Sequence, residues 1–189
     1  SNSQQQNNNS LQVYYVAIAA LSMPPRTLEK IATKKVRSIN EINERKHFLL
    51  YVATKCHDHR ERAFDLLAKI NTVHYMKCHG KVVNTNKTLI TSTPRATWWN
   101  NAKLYHNYRF ALVMENQHKS GYITEKILLA FAGKAIPIYY GTQEIFKLFN
   151  KAAFVFFDID KPNESLTQIQ RLEENKTASE LQRNTINLD

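Results

Sequence analysis

From residue 47 onward, short apolar runs alternate with segments of helical period, and this alternation constrains the fold more than any other feature of the chain. "HFLLYVAT" is a strand-type run, and "DHRERAFDLLAKI" after it places Ala63, Phe64, Leu67 and Ile70 at helical spacing. "TVHYM", "RFALVME", "AIPIYY" and "AFVFFDI" are further short strands. Between them "TEKILLAFAG" predicts a helix closed by Gly133, "TQEIFKLF" predicts a second helix, and residues 164–182 predict a last, polar one. Strands joined through helices are parallel neighbours, because a parallel pair needs a long crossover. The fold class is therefore α/β, a mostly parallel sheet with helices on both faces. Asp58 with Glu61 three residues on has the spacing of a capping box. Pro137 is awkward for an inner strand because it removes a ladder donor, and residues 79–97 read as a long loop.

The part before residue 47 is different in kind. Residues 1–10, "SNSQQQNNNS", form a Gln/Asn tract with no apolar content and are expected to be disordered. Residues 11–46 read as a short amino-terminal segment or linker, and 47–189 as the folded domain. Within the segment, "LQVYYVAIAALSMPP" is too short for a membrane span, which needs roughly 20 residues, and lacks the basic flank of a signal peptide. It predicts a strand or buried helix fragment stopped by Pro24 and Pro25, with a charged helix or linker over 26–45. The chain's 189 residues, 43% of them hydrophobic, suffice for one core. Its net charge of +10 would attract a polyanion, an anionic membrane surface or a phosphorylated small molecule. Lys and Arg are scattered without a basic stripe, so nucleic acid is not the expected partner.

One stretch, "NQHKSGYITEK", lies where the strand "RFALVME" ends and the next helix starts. In open α/β sheets this is the ligand edge, beyond the carboxyl ends of the strands. Thr124 is a reasonable N-cap, which leaves the backbone donors of Glu125 and Lys126 facing outward. Lys126 is then a cation in the first turn, where the helix dipole disfavours it. Either its side chain reaches solvent, or something negative sits at that helix end. A phosphate would be met by dipole and ammonium together, whereas Glu125 would repel it and suits the hydroxyls of a ribose. A sugar nucleotide supplies both groups. Arg60 begins the helix after the first strand and so shares this edge, and Arg62 could substitute if that helix starts later.

"YRFALVMENQHKSGYITEKILLAFAGKAIPIYYG" resembles the signature of the α-1,3-fucosyltransferases, glycosyltransferase family ten. That signature runs through an aromatic-led strand, Glu-Asn, a variable stretch, Tyr-(Val/Ile)-Thr-Glu-Lys, a helix, and (Ile/Val)-Pro-(Ile/Val)-Tyr-x-Gly. "YVATKCHDHRERAFDLLAKINTVHYMKCHGK" resembles the segment that precedes it in the family. The two blocks cover about residues 47–160. The resemblance implies a Rossmann-like donor-binding domain, one half of a GT-B-type glycosyltransferase, that takes GDP-fucose without a required cofactor or metal. It implies that Asn116, Tyr122, Glu125 and Lys126 hold the nucleotide and its diphosphate, and that Arg60 faces the diphosphate from the neighbouring loop. Family members transfer fucose with inversion to a glycan or glycoprotein acceptor, commonly an N-acetylglucosamine hydroxyl, in the Golgi lumen as type II membrane proteins.

The resemblance also implies a carboxylate base and an acceptor surface on a longer amino-terminal domain. Ahead of residue 47 this chain has only Glu29, Glu41 and Glu44 as carboxylates, none in a recognised motif. Membrane association would then need an anchor outside these residues, and a non-catalytic sugar-nucleotide-binding module is the alternative reading. Gln117 stands where a Ser is usual, Ser120-Gly121 where an Asp often precedes the Tyr, and Ala53-Thr54-Lys55-Cys56 in place of a Ser-Asn-Cys turn. Similar cysteines in the family imply a Cys56–Cys78 disulfide and with it an oxidising lumen. Two buried thiols, or a zinc site drawing on His57, His59, His74 and His79, are the other readings, although the spacing does not match a standard finger. Sequons at Asn8, Asn86, Asn163 and Asn175 agree with a lumen. Of the adjacent Trp98 and Trp99, at most one would face a ligand, because neighbours in sequence point in different directions.

Overall fold

The computed structural model describes residues 15–32, 45–83, 85–91 and 98–174. Six parallel strands form one sheet in the order β3-β2-β1-β4-β5-β6. They are β1 (His47–Tyr51), β2 (Val73–Tyr75), β3 (Lys87–Leu89), β4 (Tyr108–Met114), β5 (Ile136–Tyr140) and β6 (Val155–Phe156). The helices are α1 (Tyr15–Leu21), α2 (Pro25–Ala32), α3 (Asp58–Leu67), α4 (Lys126–Ala132), α5 (Ile145–Leu148) and α6 (Pro162–Glu174), with a 3₁₀ helix over Trp98–Tyr105. The α/β, parallel-sheet reading therefore holds. β3 departs from it, since its residues fall in the stretch read as a loop. It is an edge strand of three residues with Thr88 and Leu89 exposed, so it carries no apolar run to announce it.

Both faces of the sheet are buried, which explains why β4 reads "FALVM" without polar alternation. Leu50, Ala111, Val113 and Tyr139 point to one face and pack with Val16, Met23 and Ile31 of the amino-terminal helices and with Ile127, Leu128 and Phe131 of α4. Leu49, Tyr51, Phe110, Leu112 and Ile138 point to the other, against Phe64 and Leu67 of α3 and Ile169 of α6. The described parts of the 11–46 segment thus lie on the same core as the sheet. The buried helix fragment α1 ends at Leu21, ahead of Pro24, and Pro25 opens α2, at the first helical position, where its missing N–H would be unpaired anyway. The Gln/Asn tract lies outside the described residues, as do Asn8 and Asn175.

Local chemistry sets where the elements end. Pro137 fits an inner strand because Tyr139 and Tyr140 alternate in direction, the Tyr139 carbonyl bonding Phe157 N–H and the Tyr140 carbonyl bonding Glu115 N–H. By that alternation Pro137 faces β6, which pairs only from Ile138 onward, so no ladder bond is lost. Gly133 closes α4, and a Cβ there would lie 2.5 Å from the Ala102 carbonyl and 2.6 Å from Tyr105 Cβ. Only glycine lets the 3₁₀ helix approach this closely. Lys134 follows at φ 59, with Ala135 N–H bonded to the Ala130 carbonyl, a Schellman-type end. The capping box at Asp58 and Glu61 does not form: α3 starts without a side-chain cap, Asp58 pairs with Lys81, and Glu61 is drawn inward. Arg109 donates to both oxygens of Glu173, tying β4 to α6.

Candidate functional site

β1 and β4 are neighbours, yet the chain runs outward from them in opposite directions, through β2 to β3 and through β5 to β6. The loops that leave their carboxyl ends must therefore separate, and a crevice opens at this switch point. It is a cleft of about 300 Å³. Val52 to Lys55 wall it from the loop after β1, Met114 and Asn116 from the end of β4, Arg60 from α3, Glu125 and Lys126 from the start of α4, and Asn101 and Tyr105 from the 3₁₀ helix. Four of the five residues expected to hold a nucleotide meet there. The fifth, Tyr122, is half-buried in the preceding turn, its N–H bonded to the Lys119 carbonyl, and does not line the cleft.

Arg60 sits in the first turn of α3 and is only 4% exposed. Its guanidinium donates to the Met114 carbonyl at 2.6 Å, to the Lys55 carbonyl at 3.2 Å and to Asn116 Oδ1. One cation thereby fixes the ends of both strands that flank the crevice. Burial pushes the Arg60 pKa down, opposed by the nearby Tyr51, Glu115, Tyr122 and Glu61. An arginine nevertheless stays charged in a protein. Its Nε is buried without a protein acceptor.

The cation at the start of α4 has its negative partner inside the protein. Lys126 Nζ donates to Glu115 Oε2 at 3.1 Å and to Thr124 Oγ1 at 2.7 Å. Glu115, the residue after β4, is fully enclosed, and its carboxylate also accepts the Thr124 N–H at 2.7 Å and the Thr124 hydroxyl at 2.8 and 3.0 Å. Thr124 is thus not the cap proposed from its position, because its hydroxyl turns to Glu115. Glu125 at the N-cap position is already in the αR conformation, with no side-chain cap bond. The Lys126 side chain, 27% exposed, keeps to the cleft rather than reaching into solvent. Glu125 Oε1 lies 4.0 Å from its ammonium, and burial together with Glu125 pushes the Tyr105 hydroxyl pKa up.

A second set of contacts braces the loop after β1. Cys56 and Cys78 form a disulfide with Cα atoms 5.3 Å apart. Glu61 reinforces it by accepting the Tyr51 hydroxyl at 2.8 Å and the Gly80 N–H at 2.6 Å. The zinc alternative loses both of its cysteines to this bond. Trp99 packs half-buried against the core formed with α4. Glu115, Asn101 and Tyr105 were not singled out by sequence. Glu115 is the Glu of the Glu-Asn motif, a carboxylate directly after a buried strand, and the other two lie in "WWNNAKLY", where the tryptophans draw attention first.

Comparison with known proteins agrees with this geometry. The profile of glycosyltransferase family 10 (fucosyltransferase), C-terminal part, matches residues 42–180. A protein of Acanthamoeba polyphaga mimivirus, R654, carrying a provisional fucosyltransferase name, is 29% identical over 95% of this chain and 28% of its own length. The alpha-(1,3)-fucosyltransferase FucT of Helicobacter pylori is 36% identical over 42% of this chain and 17% of its own. A crystal structure of alpha1,3-fucosyltransferase with GDP-fucose superposes with a TM-score of 0.56 and 29% identity, over 76% of this chain and 40% of that one. The chain spans less than half the length of each of these proteins. The profile covers most of the chain, and the chain accordingly belongs to glycosyltransferase family 10, the fucosyltransferases, as its carboxy-terminal part.

Proposed function

We propose that the cleft between β1 and β4 is the donor site of a fucosyltransferase and holds GDP-fucose. The observation that carries this reading is the convergence of Arg60, Asn116, Glu125 and Lys126 on one crevice at the switch point of the sheet. Arg60 and Lys126 meet the diphosphate, Glu125 the ribose hydroxyls, and Asn116, held by Arg60, the nucleotide, with Tyr122 closing the turn beside it. In the transfer an acceptor hydroxyl attacks the anomeric carbon from the face opposite GDP. The new C–O bond forms with inversion, the bond to the diphosphate breaks, and GDP departs with the electron pair. Two cations at the leaving diphosphate stabilise the charge that develops on it, a role that asks for no metal or cofactor. A carboxylate base taking the acceptor proton comes from outside the described residues, and the acceptor is a glycan bearing an N-acetylglucosamine hydroxyl.

The Cys56–Cys78 bond and the exposed sequon residues Asn86 and Asn163 support an oxidising lumen, and the Golgi is the lumen proposed. Among the described residues no helix is long and apolar enough to cross a membrane, so a type II anchor would lie elsewhere in the protein. Calorimetry tests the donor reading. GDP should bind the wild-type chain, and Arg60→Ala should weaken it by about 1.5–3 kcal/mol, the worth of a hydrogen bond to a charged group. No GDP binding by a folded wild-type chain would remove the reading.

A further inference from the structure

The enclosed carboxylate of Glu115 lies behind the cleft wall, bonded to Lys126, and has no place in the donor site proposed above. A buried charge is unfavourable unless it is paired and hydrogen-bonded, and an apolar residue would ordinarily serve the core better. Glu115 is both paired and bonded. Its oxygens take the Thr124 N–H, the Thr124 hydroxyl and the Lys126 ammonium, and the ammonium also donates to the Thr124 hydroxyl, which closes a triangle of three groups. The backbone that carries it is pinned on both sides: its N–H donates to the Tyr140 carbonyl at 2.8 Å, and its carbonyl faces His59 Nε2 at 2.9 Å. The anchor is rigid, whereas lysine is a point charge on a flexible stem of four carbons.

An ammonium has three donors. Glu115 and Thr124 take two of them, and Glu125 Oε1 at 4.0 Å is beyond hydrogen-bond reach, so one donor is left to meet a phosphate oxygen in the cleft. We propose that Glu115 is a positioning residue that fixes the Lys126 ammonium in the cleft, so that a diphosphate meets it already placed. This rests on the donor-site reading above. Placing the charge beforehand strengthens binding by removing an ordering cost that would otherwise fall at the moment of association.

The test is Glu115→Gln, which keeps the shape and one acceptor for the Thr124 N–H but removes the charge that holds Lys126. By calorimetry it should weaken GDP roughly tenfold, the size of one lost charge-assisted contact, with guanosine affinity unchanged. In a Lys126→Ala background the same change should add nothing, because Glu115 acts through that lysine. Additive losses, or an equal loss for guanosine, would reduce Glu115 to a structural role and overturn the proposal. Tighter GDP binding by Glu115→Gln would overturn it too, since the carboxylate would then be competing with phosphate for Lys126. A readout without nucleotide separates this from the donor reading: acetic anhydride labelling, mapped by peptide mass spectrometry, should modify Lys126 several-fold faster in Glu115→Gln. Absence of GDP binding by the wild type together with that rise would overturn the donor reading and leave Glu115's hold on Lys126 standing. Unchanged labelling would overturn the hold whatever GDP does. Should Glu115→Gln fail to fold, Thr124→Val removes the hydroxyl from the triangle and should give a smaller loss, confined to GDP and absent for guanosine.

Discussion

A lysine in the first turn of a helix works against the dipole, and in this chain the opposition is resolved by a carboxylate nine residues before Thr124. Arg60, Asn116, Glu125 and Lys126 were legible because each stands in a quoted motif at the edge where α/β sheets bind ligands. Glu115 stands in the same Glu-Asn motif, but its role was not legible, for a physical reason: a charged residue at a strand end ordinarily turns to water, and its enclosure is made by residues distant in sequence. Thr124 covers it from one side. Gly141 allows the other, since a Cβ there would come within 3.0 Å of Glu115 Cγ. The contact changes what Lys126→Ala should do. Beyond weakening GDP, it leaves an enclosed carboxylate with only the Thr124 donors, so the fold should lose about 1–3 kcal/mol, the cost of an uncompensated buried group. Lys126→Ala/Glu115→Gln should recover part of that loss, because the charge itself is gone. Urea denaturation of the three variants measures this, and a double variant no more stable than Lys126→Ala would show that the carboxylate is not what the lysine compensates.

Among elements, those with a strong apolar period were read in place and those defined by partners were not. β4, β5 and α3 follow their sequence patterns closely, whereas β3 exists because β2 offers an edge to Lys87–Leu89. The spacing of Asp58 and Glu61 suggested a cap, but tertiary contacts drew Glu61 to Tyr51 and Gly80, overriding a local motif. That shift belongs to a larger brace: Glu61 and the Cys56–Cys78 bond join the loop after β1 to the segment after β2. The bond closes a loop of 22 residues in sequence separation. On the chain-entropy model a loop of this size stabilises by about 3 kcal/mol. Cys56→Ser/Cys78→Ala should lower the unfolding free energy by about that amount, and GDP affinity should fall as well, because Val52 to Lys55 wall the cleft. Wild-type protein purified without reductant should give one cross-linked pair in non-reducing peptide maps. Two freely alkylated thiols there would remove the brace and the argument for an oxidising compartment together.

At the scale of the molecule, alternating strands and helices dictated a parallel sheet but not the order of its strands. The order matters most for function, since only the adjacency of β1 and β4 opens the crevice. The sequence left α1 open between strand and buried helix, and α2 between helix and linker, for a related reason: both are short, and packing on the core decides for the helix. The cleft as described is walled by residues proposed for the donor. Of the carboxylates at the ligand edge, Glu115 is tied to Lys126, Glu144 accepts from Ser120 and the Gly121 N–H, and Glu125 is assigned to the ribose. The base is expected from the amino-terminal part that the family resemblance implies, and no carboxylate of this wall is assigned that role. The 189-residue chain, incubated with GDP-fucose and an N-acetyllactosamine-type acceptor, should therefore bind the donor yet transfer slowly or not at all. Losing general-base help alone costs about 10²–10⁴-fold, and an unpositioned acceptor adds to the deficit. Following GDP release and fucosylated product separately decides the matter. Rapid turnover by these residues alone would show that the base lies among them, and would direct substitution first to Glu125 and then to Glu29, Glu41 and Glu44.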